Sequence, residues 1–243
     1  MSMSKDDEPD ATSPLDNRPI EEGIARSIEQ EIVVGQLSPS QKLREEDLAA
    51  RFGASRHQVR QGLARLERIG IVTRERNRGA SVRSFSADEV GQIYQIREIL
   101  QRHAALRIPL PAHKADIAAL NAIEREYEAA IKVGDVAQIH ASNDLFHCTL
   151  FRLCGNELLV QLVKRYMDLS YAVRASAFYD TESLKKSASE HNIMITLLGH
   201  TDSWSLSQIC VDHIMPSKAH YLSKLTARIP ISSRQLGFGS STA

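Results

Sequence analysis

Apolar residues recur every three or four positions along most of this chain, which is the spacing of amphipathic helices. Isoleucines at intervals of four predict a first helix over 20–35. A short second helix over 43–52 would bury its apolar side chains, Leu43 among them. Ser55 is placed to cap a third helix over 56–68. A short helix, a tight turn and another helix form the helix-turn-helix pattern.

Two short runs after the third helix, 71–73 and 81–83, predict a pair of strands around an Arg-rich tip that contains Gly79. Such a pair is the wing of a winged helix, suited to phosphates or the minor groove. The third helix exposes polar residues in its first two turns, as recognition helices do. These residues are Arg56, His57, Gln58, Arg60 and Gln61. Residues 18–85 are therefore predicted to be a DNA-binding domain.

From residue 87 onward the helical spacing continues, and no strand alternation of useful length interrupts it. Six helices are predicted there, over 90–104, 117–131, 136–154, 157–175, 181–199 and 203–226. The predicted fold is mainly α, an N-terminal winged helix followed by an all-α helical bundle over 86–228. The acidic, Pro-containing segment 1–17 is predicted to be a disordered tail, and 229–243 a flexible one.

The total charge is zero, since 30 Lys and Arg face 30 Asp and Glu. Its distribution is uneven, because the stretch from Arg51 to Arg83 holds nine arginines against two glutamates, a net charge of +7. A polyanion is the natural partner of such a surface. Three cysteines without a CxxC spacing predict reduced thiols in a cytoplasmic protein. No apolar run approaches the roughly 18 residues of a membrane span, so no membrane partner is expected.

The segment 43–66, LREEDLAARFGASRHQVRQGLARL, followed by Gly70-Ile71-Val72, resembles the winged-helix signature of the GntR transcriptional regulators. The resemblance implies that Arg56 and Arg60, the two arginines of its S-R-x-x-V-R element, contact guanines and phosphates of an operator. A guanidinium fork suits that task because it binds both acceptors of a guanine edge.

By position, the resemblance extends to Arg44 at the start of the second helix and to Arg78 at the wing tip, and the exposed His57 joins these candidate DNA contacts. The chain departs from the family in having Ser40 after Pro39, and Gly62 within the third helix. A mid-helix glycine is expected to cost about 0.5–1 kcal/mol relative to alanine. Neither departure removes a candidate DNA contact.

Histidines in the C-terminal part have a suggestive spacing. Asn143 and His147 lie four residues apart and so share a helix face. His191 and His213 each lie 11 residues from Asp202 (202 − 191 and 213 − 202), so they sit level if two helices form a hairpin there. Such placements assemble Zn or Ni sites in bundles. The alternative is that each histidine has a hydrogen-bonded or surface role.

Phe146-His147, Cys154-Gly155-Asn156, Glu190-His191 and His213 together resemble the FCD ligand-binding domain of the FadR branch of GntR regulators, and six helices resemble its VanR-like subgroup. The resemblance implies a divalent metal held by a D-x-x-x-H helix and two later histidines, with a carboxylate effector completing the coordination. Asn143 replaces the usual Asp. Asp144 should point elsewhere, since one helical step turns a side chain by roughly 100°.

Arg97 ends the segment Tyr94-Gln95-Ile96-Arg97, where the first FCD helix often has an inward-facing arginine. Such an arginine would pair with the effector carboxylate. The alternative is an exposed arginine in a salt bridge between helices. Gln101 stands where the family commonly has an acid, which changes the polarity of the pocket.

Together these features predict a ligand-responsive transcriptional regulator, a homodimer on double-stranded DNA and a repressor released by a small carboxylic acid. The rival is a metal-dependent hydrolase with an accessory nucleic-acid-binding domain, since three histidines and an open position suit hydrolytic zinc. The sequence has neither HExxH nor G-x-S-x-G, and Glu190 beside His191 should face away from the metal, so no enzyme is expected. In a third hypothesis, the histidines of a regulator bind the ligand directly, without a metal.

Overall fold

The computed structural model describes residues 19–33, 36–75, 79–175 and 181–227, and its N-terminal part is a winged helix-turn-helix. Its helices are α1 (Ile20–Val33), α2 (Glu45–Phe52) and α3 (Arg56–Arg68). Ser55 caps α3 as predicted, because its hydroxyl accepts a hydrogen bond from the Gln58 N–H while the Gln58 side chain bonds back to the Ser55 N–H.

Three antiparallel strands complete this part: β1 (Lys42–Leu43), β2 (Val72–Glu75) and β3 (Gly79–Val82), in the order β1-β3-β2. The two wing strands confirm the prediction, whereas the placement of Leu43 in a helix was wrong. Leu43 pairs with Ala80 in the sheet and is buried there, so its apolar character fits a strand as well as a helix. The wing tip, 76–78, with Arg78, lies outside the described residues.

The C-terminal part is all α within the described residues, as predicted. Its helices are α4 (Ala87–Leu106), α5 (Lys114–Val133), α6 (Val136–Arg152), α7 (Glu157–Leu169), α8 (Tyr171–Ala175), α9 (Thr181–Leu198), α10 (Ser203–Asp212) and α11 (Met215–Ala227). The N-terminal tail 1–17 and the C-terminal tail 229–243 lie outside the described residues. Among the described helices, none has both the length and the apolar composition needed to cross a membrane.

In the part of the bundle that the structure describes there are eight helices where six were expected, because the fourth and sixth predicted helices are each broken in two. At the first break the Ser170 hydroxyl bonds to the carbonyls of Tyr166 and Met167, and so competes with the helical ladder. At the second break, Pro216 has no N–H to donate. In a continuous helix its ring would also clash with the carbonyl of Asp212, four residues earlier. The VanR-like subgroup, which rested on six helices, stays a prediction.

Helix α1 belongs to the cores of both parts. Its Ile24 and Ile28 join one buried apolar cluster with Leu63 of α3 and with Tyr127 and Tyr171 of the helical part. The hydroxyl of Tyr171 donates a hydrogen bond to the carboxylate of Glu29 on α1, and burial raises the pKa of that carboxyl above its usual value. The winged helix-turn-helix part is therefore packed directly against the bundle.

Gly62 is explained by the same packing. A Cβ added to it would lie 3.1 Å from the Glu21 carbonyl oxygen and 3.1 Å from Cγ2 of Ile24, which is closer than ordinary contact. The glycine does not simply weaken α3, because it allows α1 to approach.

Replacing Gly62 by alanine is expected to destabilise the protein by about 1 kcal/mol, because an overpacking cost of about 1–3 kcal/mol exceeds a helix-propensity gain of about 0.5–1 kcal/mol. The matched control is Gly91→Ala in α4, where an added Cβ meets nothing within 4 Å, so the same substitution should stabilise. Urea unfolding of both full-length variants measures the difference, and equal stabilisation by both substitutions would contradict this account.

Candidate functional site

The N-terminal end of α3 presents a basic face. Arg56, His57 and Arg60 are exposed there, as the sequence predicted. Arg56 donates to Glu46 at 2.8 Å and Arg60 to Glu45 at 2.7 Å, two acids of α2 that the sequence analysis did not connect with them. Exposed ion pairs of this kind contribute at most about 1 kcal/mol, so phosphates can displace the carboxylates.

Two further residues complete this picture of the basic face. Arg44 is exposed at the N-terminal boundary of α2 and forms no ion pair with the described residues. Gln58, which the sequence placed among the exposed polar residues, is only partly exposed, and the capping box occupies its side chain. Gln58 therefore helps to cap the N-terminus of α3, the helix that carries Arg56 and Arg60.

Three histidines from separate helical segments converge in the bundle. His147 lies on α6, His191 lies on α9, and His213 follows the last residue of α10. One ring nitrogen of each lies within 4.8 Å of the other two, and the Nε2 atoms of His147 and His213 are 3.1 Å apart. The rings of His191 and His213 are 4.8 Å apart between centroids, so the two residues do meet as the predicted hairpin requires.

The donor set fits a divalent transition metal. Two nitrogens that each lie about 2.0–2.1 Å from a zinc ion are roughly 3.3 Å apart at a tetrahedral angle, close to the observed 3.1 Å. Nε2 of His191 is buried and has no hydrogen-bond partner among the described residues, as expected of a nitrogen that awaits a ligand. Burial lowers the pKa of His147 and of His191 well below the usual value, so both rings are neutral and can ligate.

Carboxylates orient two of the three rings. Nδ1 of His191 lies 2.7 Å from Glu124, and Nδ1 of His213 lies 2.8 Å from Glu190. When the ring proton of each histidine lies on Nδ1, the Nε2 lone pair is left for a metal, as in the usual carboxylate–histidine arrangement around zinc. The prediction that Glu190 faces away was wrong: α9 turns Glu190 toward His213 and the cavity, although its neighbour His191 also points into the cluster.

A cavity of about 70 Å³ opens beside the histidines, with room for several water molecules or a small acid. Asn143, one turn before His147, lines it and is buried. Asp144 points elsewhere, as predicted, and forms an ion pair with Arg174 at 2.8 Å. His140 lies against the same pair, and burial lowers its pKa to about 4.

Arg97 lines the same cavity and is a buried cation, only 4% exposed. It forms no ion pair with the described residues, so the salt-bridge alternative for it was wrong. Its Nε and Nη1 atoms have no hydrogen-bond partner there, and its guanidinium lies 4.9 Å from the centre of the Tyr94 ring. Burial lowers the pKa of Arg97 to about 10, so it stays charged at neutral pH.

Sequence reasoning missed two residues of this centre. Glu124 lies on the buried face of α5 with Leu120 and Tyr127. The sequence signal that could have revealed it is an acidic residue at the helical spacing of buried apolar residues. Burial raises the pKa of Glu124 to about 8. Arg174 lines the cavity next to its ion-pair partner, but it follows a helix break that the periodicity did not reveal, so no sequence pattern indicated it.

Family models match both parts of the chain. The model described as "Bacterial regulatory proteins, gntR family" matches residues 20–82, and the FCD domain model matches residues 92–215. The chain belongs to the GntR family, in its FCD-containing branch. This GntR regulator is therefore a ligand-responsive, DNA-binding transcriptional regulator and not an enzyme, and the hydrolase alternative is not supported.

Named relatives agree with this assignment. The Nta operon transcriptional regulator of Aminobacter aminovorans is 26% identical over 178 residues, 72% of this chain and 82% of the relative. YdhC of Bacillus subtilis strain 168, an uncharacterized HTH-type transcriptional regulator, is 31% identical over 144 residues, 58% of this chain and 63% of the relative. The gluconate operon transcriptional repressor of Bacillus licheniformis is 26% identical over 139 residues, 57% of each chain.

Solved structures share the fold of the GntR regulator. E. coli McbR/YncC has a TM-score of 0.58 at 16% identity, and the match covers 86% of this chain and 98% of that chain. Lar, described as controlling the expression of the Listeria monocytogenes agr system, has a TM-score of 0.57 at 21% identity, over 85% and 98% of the two chains. At these identities the likeness shows the fold alone.

Proposed function

We propose that this GntR regulator represses transcription by binding a DNA operator, and that a small carboxylic acid bound in the histidine cavity releases it. The observation that carries the proposal is a buried, uncompensated Arg97 in the same cavity as three converging histidines, in a chain whose other end exposes a basic recognition helix. Among the named relatives, the gluconate operon repressor favours repression. The protein would act in the cytoplasm, where bacterial DNA lies.

The two parts of the chain would have separate functions. Residues 18–85 would bind the operator and 86–228 would bind the effector and form the dimer, with 1–17 and 229–243 as tails. Arg56 and Arg60 would read guanines and phosphates, because an arginine fork binds both acceptors of a guanine edge. Arg44, His57 and the wing residue Arg78 would hold the backbone and set the register.

His147, His191 and His213 would hold a divalent metal such as Zn or Ni, with the side-chain oxygen of Asn143 as a neutral fourth ligand. The metal would supply a Lewis-acidic position for an effector carboxylate. Arg97 would pair with the far end of the effector, since a buried guanidinium without an acid partner gains most from a carboxylate. Arg174 is already paired with Asp144 and would line the cavity without competing for the ligand.

A homodimer would place two recognition helices on successive major grooves. The exposed apolar side chains of α4 and of the adjacent α7 are a suitable interface, because a monomer rarely exposes several of them on neighbouring helices. They are Ile96, Ile99 and Leu106 on α4, and Leu158 and Leu162 on α7.

Metal uptake tests the histidine centre. After equal exposure to Zn and Ni, plasma mass spectrometry should find metal in the wild type and none in His191→Ala, while Asn143→Asp should bind more tightly because a carboxylate adds charge. Glu124→Gln should weaken metal binding about 10- to 100-fold, because it removes the group that orients His191.

The control for metal uptake is His103→Ala, an exposed histidine of α4. His140 is unsuitable as a control, because it contacts the Asp144–Arg174 pair. If all variants carry the same substoichiometric metal, the histidines bind the effector directly or serve the core. Thermal shifts with a panel of small carboxylic acids, with and without metal, test the effector, and no shift with any acid would count against the cavity as an effector site.

Operator binding tests the basic face. Arg56→Ala and Arg60→Ala should each weaken specific binding by about 1–3 kcal/mol, because each removes a base or phosphate contact. Arg78→Ala should weaken binding to all sequences nearly equally and lower the salt slope by about one. Gel shifts at several salt concentrations distinguish these outcomes, with Arg125→Ala on α5 as control. Unchanged affinity of both α3 variants would refute the recognition-helix assignment.

Light scattering tests the dimer. The wild type should have twice the chain mass of 27.1 kDa at micromolar concentration. Ile99→Glu should shift the protein toward monomer because it places charges within the apolar interface, whereas Val133→Glu, at an exposed apolar position at the end of α5, should not. A wild-type mass of 27.1 kDa together with tight operator binding would contradict the dimer.

A further inference from the structure

A cleft of about 610 Å³ separates the base of the winged helix from α6 and α7. One wall is the segment 67–70 at the end of α3 together with Arg83, and the other is formed by α6 and α7. The two parts meet at Gly70, where an added Cβ would lie 3.3 Å from the carbonyl oxygen of Asp168. The cleft shares no lining residue with the histidine cavity, so it is a separate place in the molecule.

Positive charge predominates in this interdomain cleft. Five basic and three acidic side chains line it, and Lys164 already pairs with Asp168 while Glu67 lies 3.9 Å from Arg74. The remaining four arginines form no ion pair with any described residue. They are Arg68, Arg83, Arg152 and Arg165. Glu157 is then the one acidic lining residue outside those pairs.

Arg83 is the partly buried member of this set, whereas Arg68, Arg152 and Arg165 are exposed at the rim of the cleft. The guanidinium of Arg83 lies 4.5 Å from the centre of the Phe85 ring, and burial lowers its pKa. Its Nη1 lies beside Gly70, at the contact between the two parts. Glu89 lies near enough to act electrostatically on Arg83 but forms no ion pair with it. A partly buried cation that is held in place gains more from a bound anion than a mobile surface arginine does.

The operator is not the natural occupant of this cleft. Arg68 ends α3, and a helix of 13 residues is about 20 Å long, so this wall lies far from Arg56 at the DNA-facing end. Arg83 likewise follows β3 at the end opposite the wing tip. The volume suits a small molecule, and arginine forks favour phosphate oxygens, which they bind two at a time.

We infer that the interdomain cleft is a second ligand site, which binds a small molecule with two or more negative charges of the phosphate class. Arg68 and Arg83 bind it from the winged helix, and Arg152 and Arg165 bind it from the bundle. A ligand held from both sides would add a link between the two parts to the packing of α1, and the relative position of the parts sets the spacing of the recognition helices in a dimer. The site is independent of the metal and of the carboxylate effector.

Calorimetry with inorganic pyrophosphate as the probe tests the site on the full-length, chelator-treated protein. The wild type should bind saturably, and Arg152→Gln and Arg165→Gln should each raise Kd about tenfold. Arg152→Lys keeps the charge but loses the guanidinium fork, so its Kd for pyrophosphate should lie between those of the wild type and Arg152→Gln. Arg125→Gln is the matched control, because it removes the same charge from an exposed arginine of α5. His147→Ala should leave pyrophosphate binding unchanged.

Two results would overturn the inference. One is the absence of saturable pyrophosphate binding, or an equal loss in Arg125→Gln, which would reduce the effect to general electrostatics. The other is an Arg152→Gln variant that weakens operator binding without any phosphate present and lowers the salt slope by about one, which would make the cleft a DNA surface. Circular dichroism of each variant establishes that it has folded.

Discussion

The packing of α1 constrains the rest of this structure. Ile24 and Ile28 are buried in one cluster with residues of α3 and of the helical bundle, so neither part has a core that is complete without this helix. Gly62 allows α1 to approach α3 so closely that an added Cβ would lie 3.1 Å from atoms of α1. Tyr171 and Glu29 join the other side of α1 to the bundle. A displacement of α1 would therefore carry the recognition helix with it.

Several buried charged or polar side chains of the bundle are paired across helices. His191 is paired with Glu124, His213 with Glu190, and Arg174 with Asp144, as burial requires of polar and charged groups. Arg97 differs from these groups, since it is a buried cation beside the cavity that has no ion-pair partner among the described residues. Gln101, one helical turn further along α4, cannot supply the missing charge. A buried charge without a partner destabilises the protein, and such groups are typical of ligand-binding sites.

On the recognition face, by contrast with the bundle, the charged side chains are paired and exposed to solvent. Arg56 and Arg60 lie against Glu46 and Glu45 of α2, which hold the guanidinium groups near the N-terminal end of α3. Water screens such pairs, so they cost little to exchange for phosphates. The neutral total charge of the chain is compatible with DNA binding because only two of its acids lie in the Arg-rich stretch from Arg51 to Arg83.

Local patterns in the sequence determined the elements: the four-residue apolar spacing, the Ser55 cap and the glycines at helix ends predicted most of the helices, and the Arg-rich segment predicted the wing. Spacing within one helix also predicted that Asp144 turns away from His147. Only the tertiary structure decided what depends on packing between distant elements. Glu190 points at His213 because α9 and α10 pack at one particular rotation, Glu124 reaches His191 from another helix, and Gly62 matters because of α1. Periodicity records which side of a helix is apolar, but the partner, rotation and distance of each face arise only when all the helices fill one core together.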